Sequence, residues 1–205
     1  GAVRLHLSDP EGAREDARRN VDAWWPAIER GEIEAIVMTA SGCGAQVKDY
    51  AHLLQHDTAY ADKARRVAEL TRDIGEIVAG EAAALQSKLA GRRGEATALA
   101  WHAPCSLQHG LRLRGTVEAL LEAAGYRLTP VRDAHLCCGS AGTYSLLQPE
   151  LSQRLRTNKL EALHEGGAET IASANIGCIT HLQAGTATPV RHWIELLDER
   201  LRSAG

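Results

Sequence analysis

Hydrophobic positions in the second half of the chain alternate between two periodicities. Ala96 to His102 is an alanine-rich extended run closing on Trp101 and His102, and Thr116 to Ala124 carries Val117, Leu120, Leu121 and Ala124 at helical spacing, with Gly125 as its stop. Tyr126 to Asp133 predicts a second strand. Pro149 and Glu150 then open a helix with Leu151, Leu155 and Ala162 on its buried side, ended by Gly166 and Gly167. Glu169 to Ala174 predicts a third strand. Val190, Trp193, Ile194, Leu197 and Leu201 recur at the spacing of a closing helix from about Arg191 to Arg202. Strands separated by helices predict an α/β fold with a mainly parallel sheet and flanking helices.

The first half repeats part of this pattern, so the fold is read as a duplicated unit whose first copy is incomplete. Laying Gly1 on Gly139 puts Asn20 on Asn158 without a gap. After a short insertion, Gly31 to Ile36 matches Gly166 to Ile171, and Ser41-Gly42-Cys43 matches Ile176-Gly177-Cys178. A terminal helix with Val67, Leu70, Ile74 and Ile77 on one face is expected to follow. The expected organisation is an incomplete first cysteine-rich unit over residues 1–90 and a complete second unit over 96–205, with the Gly- and Arg-rich stretch Leu89 to Glu95 as linker. In a longer protein, the two residues before Gly1 should correspond to Cys137 and Cys138. Cys43 should then be a free thiol without metal. The strand Ile33 to Met38 should dock on the complete unit or a partner, because one strand cannot bury a sheet face alone.

Composition narrows the class. The 205 residues are 44% hydrophobic and 24% charged, an ordinary globular balance, and a net charge of -3 provides no basic field for nucleic acid. No apolar run approaches the roughly 20 residues of a membrane span, and Gly1 to Pro10 lacks a signal-peptide pattern. The expectation is a cytoplasmic protein that does not insert into a membrane. No glycine-rich dinucleotide or phosphate loop is present. The Trp24-Trp25 pair and the clusters Arg18-Arg19, Arg65-Arg66 and Arg92-Arg93 read most simply as core edge and solvated faces.

The cysteines carry the chemistry. Five of them, an odd number, with Cys137 and Cys138 adjacent, suit a metal or redox site better than a disulfide scaffold. Cys105, the Cys137–Cys138 pair and Cys178 each follow the carboxyl end of a predicted strand, and in a parallel sheet those ends share one edge. The four thiols are therefore expected to converge on one metal centre. Helix N-termini beside two of these loops favour thiolate, and soft anionic sulfur selects an iron–sulfur cluster or zinc. His102, His109 and His135 flank the loops and are expected to orient them or face solvent.

His102-Ala103-Pro104-Cys105, Cys137-Cys138-Gly139-Ser140-Ala141-Gly142-Thr143-Tyr144 and Ala174-Asn175-Ile176-Gly177-Cys178 resemble the cysteine-rich CCG-domain family found in heterodisulfide reductases, lactate-utilisation proteins and glycolate oxidase. The chain is similar to the C-terminal part of glycolate oxidase iron–sulfur subunits, including the ending Thr188 to Leu196. The resemblance implies an oxidoreductase subunit that does not itself oxidise substrate. It would carry a 4Fe-4S-type cluster on Cys105, Cys137, Cys138 and Cys178 and pass electrons from flavoprotein subunits toward a quinone-type acceptor. Peripheral association with the inner face of the cytoplasmic membrane would come through that complex. The family's last motif is Cys-x-x-Cys, where this chain has Cys178-Ile179-Thr180-His181, so His181 is added to the candidate ligands. The alternative is a structural zinc or scaffold module in a multi-subunit redox complex.

Overall fold

The computed structural model describes residues 1–89 and 97–202, and the chain divides into two compact units, Gly1–Ile74 and Gly75–Gly205. Leu89 ends a helix, and the rest of the stretch expected as linker lies outside the described residues.

The first unit opens with α1 (Ala2–His6) and the long α2 (Pro10–Glu29). Asp9 starts α2 by accepting the Gly12 N–H at 2.9 Å, while Pro10 presets φ at the first helical position. Ala13, Ala17 and Val21 recur every four residues and form its buried stripe. Then follow β1 (Ile36–Met38), α3 (Ser41–Lys48), α4 (Tyr50–Leu53), α5 (Ala61–Leu70) and β2 (Thr71–Asp73). Their core gathers Val21, Ile36, Val47, Tyr50, Leu54 and Val67. Cys43 is exposed in the first turn of α3.

Two expectations for this unit need correction. The helix expected to align Val67, Leu70, Ile74 and Ile77 is interrupted, because Thr71–Asp73 leaves it as β2 and Ile74 opens a separate α6 (Ile74–Gly80). The β-branched Thr71 is fully buried, and its hydroxyl donates to the Val67 carbonyl at 2.8 Å, which favours the extended turn out of α5. The first strand also finds its partner locally: β1 pairs in parallel with β2, Ile36 opposite Thr71 and Met38 opposite Asp73.

After α7 (Ala82–Leu89), the second unit builds β3 (Ala98–His102), a π-helical turn at Ser106–Gly110, α8 (Thr116–Ala123), β4 (Arg127–Thr129), α9 (Tyr144–Leu147) and α10 (Pro149–His164). It closes with β5 (Thr170–Ser173), α11 (Ile176–Gln183), β6 (Val190–His192) and α12 (Trp193–Arg202). The strands form a parallel sheet in the order β4-β3-β5-β6, with every residue of β3 buried. This is the α/β architecture the alternating pattern predicts. Val190, expected on the closing helix, lies instead in edge strand β6 opposite Ile171, and α12 begins at Trp193, burying Trp193, Leu196 and Leu197. The buried face of α10 also differs from expectation. Leu151 is 47% exposed, while Ser152, Lys159, Leu160, Ala162 and Leu163 are buried. Among the described residues, no helix is long and apolar enough to cross a membrane.

Candidate metal centre

The chain runs from β3 outward to β4 and then returns to β5 on the other side of β3, so the connections leaving β3 and β5 diverge at their carboxyl ends. A crevice at such a reversal is where open parallel sheets hold ligands. His102 closes β3 opposite Ser173, the last residue of β5. Cys105 lies just beyond β3, the Cys137–Cys138 pair follows β4, and Cys178 follows β5. The four thiols expected to converge do meet, in the sequence Cys105 beside Cys137, Cys137 beside Cys138 and Cys138 beside Cys178.

Polar side chains pin the loops together. Gln108, buried in the π-helical turn, donates to the Ala103 carbonyl at 3.0 Å and the Ala134 carbonyl at 3.2 Å, tying the Cys105 loop to the segment before Cys137. His109 lies 3.2 Å from the His135 carbonyl, so this exposed histidine orients the same two loops. Gly139 turns with φ +94°, and a Cβ there would stand 2.4 Å from the Ser152 carbonyl oxygen. Only glycine satisfies both demands. Ser152 in turn donates its hydroxyl to the Gly139 carbonyl at 2.8 Å, and the Gly139 N–H lies 3.3 Å from Cys137 Sγ. Cys178 sits in the first turn of α11, where helix N–H groups favour a thiolate, and the Asn175 amide lies 3.5 Å from its sulfur.

These contacts divide the thiols by protonation. Hydrogen bonds from Cys105 and then Cys138 hold Cys137 down at about 2. Cys138, with help from the adjacent His102 ring and Asn175, draws Cys178 down to about 5 against the effect of burial. The donors move the opposite way: Cys105 and Cys138 are both pushed far above the ordinary thiol range by the thiolates they serve and by burial. Lys159, 3% exposed, donates from Nζ to the Asp133 carbonyl at 2.7 Å. Burial lowers its pKa, while the charges of Cys138, Asp133 and Cys137 oppose that shift. Ser152, Lys159 and Gln108 were not visible as site residues in the sequence, and Asn175 entered only as part of the Cys178 motif. A clue was present for two of them, since Ser152 and Lys159 lie seven residues apart and so share one helix face.

The donor set suits a soft metal centre. Ligand atoms of His102, Cys138 and Cys178 all lie within 4.8 Å of one another, and all three residues are buried. Among the described residues, neither ring nitrogen of His102 has a hydrogen-bond partner, nor does the buried Ser173 hydroxyl. Leaving such a group unsatisfied costs about 1–3 kcal/mol, which a bound group would offset. His181 stands elsewhere in the network: its Nε2 is 3.2 Å from Ser152 Oγ, and it is not part of the three-residue group.

Comparison with known proteins points to one family. A family model described as CCG, a cysteine-rich domain, matches residues 99–183, which include all four thiols. The glycolate oxidase iron–sulfur subunit of Escherichia coli is 53% identical over 98% of this chain and 48% of its own length. A probable glycolate oxidase iron–sulfur subunit of Bacillus subtilis is 26% identical over 90% of the chain and 40% of its own length. Lactate utilization protein A of Geobacillus thermodenitrificans is 30% identical over 80% of the chain and 70% of its own length. The chain thus spans about half the length, or less, of the two glycolate oxidase subunits. With its parallel sheet, its Cys-Cys-Gly turn and its converged thiols, the chain belongs to the cysteine-rich CCG-domain family.

Proposed function

We propose that this chain is the electron-transfer part of a glycolate-oxidising complex, with an iron–sulfur centre of the 4Fe-4S type held by Cys105, Cys137, Cys138 and Cys178. The observation that carries the reading is the meeting of these four thiols at the reversal point of the sheet. When bound, the centre supplies one-electron chemistry; the chain's own residues hold it, exclude water around Cys138 and Cys178, and place the Lys159 cation beside it. His181, whose Nε2 lies 3.2 Å from Ser152 Oγ, supports from outside the ligand set the serine that anchors the Gly139 turn.

Electrons would come from a flavoprotein subunit and leave toward a quinone-type acceptor, so the chain alone oxidises no substrate. Exposed Leu136, Leu146, Leu147, Leu151 and Ile176, near the cysteine loops in sequence, offer the apolar surface a protein partner would cover. The first unit reads as an incomplete copy of the second: each carries a strand, a helix with a cysteine in its first turn, a parallel strand and a further helix. The proposed location is cytoplasmic, at the inner face of the membrane through the complex.

Anaerobically prepared protein should contain iron and acid-labile sulfide, absorb in the visible range and give a paramagnetic signal in one redox state. The closeness of His102, Cys138 and Cys178 favours a second reading, a structural zinc site. Zinc without iron or a visible band would establish that reading and overturn the first.

A further inference from the structure

We infer that His102 is a nitrogen ligand of the metal centre, completing a ligand set otherwise made of thiolates. The inference rests on the electron-transfer reading and adds a residue to its site. His102 is 2% exposed, and among the described residues neither Nδ1 nor Nε2 has a hydrogen-bond partner. An imidazole buried this deeply normally satisfies at least one ring nitrogen with oxygen or nitrogen, whereas this ring acts on the Cys178 sulfur, which it helps to hold as thiolate. What it does face is sulfur: its ligand atom lies within 4.8 Å of Cys138 Sγ and Cys178 Sγ.

The backbone makes this placement rigid. His102 is the last residue of fully buried β3, held in register against β5 at Ser173, so its position is set by the sheet and not by a loop. Cys178 lies in the first turn of α11 beyond β5, and Cys138 is held by the Gly139 turn against α10. Three separate elements therefore deliver one imidazole and two sulfurs to the same point. His181 differs in the respect that matters, since its Nε2 already has Ser152 as a neighbour.

The test uses the full chain, prepared anaerobically with iron and sulfide and with histidine labelled by 15N in the ring. Pulsed electron paramagnetic resonance of the paramagnetic state should show one strongly coupled histidine nitrogen. The coupling should persist in His181→Asn and vanish in His102→Cys, with iron retained and a lower reduction potential, because thiolate donates more charge than imidazole. Iron-loaded wild-type protein without any coupled histidine nitrogen overturns the inference while leaving the electron-transfer reading intact, and it does so even if His102→Cys fails to fold. Coupling that survives in His102→Cys, or is lost in His181→Asn, also overturns it. A wild-type protein that takes up no iron overturns the underlying reading, and the inference falls with it.

Discussion

At Lys159 the helix face that should carry an aliphatic side chain carries a cation, and its surroundings explain why that is tolerated. Its Nζ is satisfied by the Asp133 carbonyl, and the sulfurs of Cys137 and Cys138 are close enough to resist the loss of charge that burial favours. A fixed positive charge beside a cluster stabilises the more negative, reduced state. Lys159→Met should therefore retain metal but lower the reduction potential by an amount on the order of tens of millivolts. Anaerobic redox titration of the two proteins measures this, and equal potentials would mean the charge is screened from the centre. The thiols make a blunter prediction. Cys137→Ser or Cys138→Ser should lose most of the bound metal, as each removes a soft ligand from one rigid turn. Full metal content in both variants would exclude that turn as the site.

Between elements, the tightest constraint is the approach of the Cys-Cys-Gly turn to α10. The Ser152 carbonyl leaves no room for a side chain at position 139, and φ of +94° disfavours one independently. Gly139→Ala should cost at least about 1–2 kcal/mol from the backbone alone, with a further loss as the turn is pushed off α10 and metal occupancy falls. Urea unfolding and iron analysis of the same preparation read both effects. The elements that set this geometry were legible where periodicity was long or punctuated: α8 between Gly115 and Gly125, α10 behind Pro149, and the strands leading to each cysteine loop. Two of the three-residue strands were not. Thr71–Asp73 and Val190–His192 are too short to interrupt a helical pattern of apolar residues, and they become strands only because a neighbouring strand supplies their hydrogen bonds. The buried side of α10 was misjudged for a related reason. Hydrophobicity finds a face that packs on apolar core, whereas part of this face supports a polar site. The cysteines themselves were readable because strand ends converge whatever the intervening length. His102 reads in the sequence as orienting its loop or facing solvent, since only the fold reveals that its ring is buried with no hydrogen-bond partner among the described residues.

For the whole molecule, the alternating protonation of the four thiols links stability to pH with opposite signs in two ranges. In the metal-free protein Cys137 and Cys178 sit below the value near 8.5 expected in the unfolded chain, so folding releases their protons. That contribution is present above the unfolded value and is lost as pH falls through about 5 for Cys178 and about 2 for Cys137. Cys105 and Cys138 sit above the unfolded value, so their contribution is full below it. It declines as the pH rises past 8.5, where the unfolded chain ionises and the folded one does not. Metal-free protein should therefore gain stability from acid toward mildly alkaline pH and lose it beyond, as read by urea unfolding across the range. Loading a four-thiolate centre must expel the protons of Cys105 and Cys138, so metal affinity should climb with pH at a slope approaching two protons per centre. With metal bound those thiols have no proton left to keep, and the alkaline decline should disappear. A decline of equal size in loaded and metal-free protein would place its origin outside the thiols and remove the basis for their shared site.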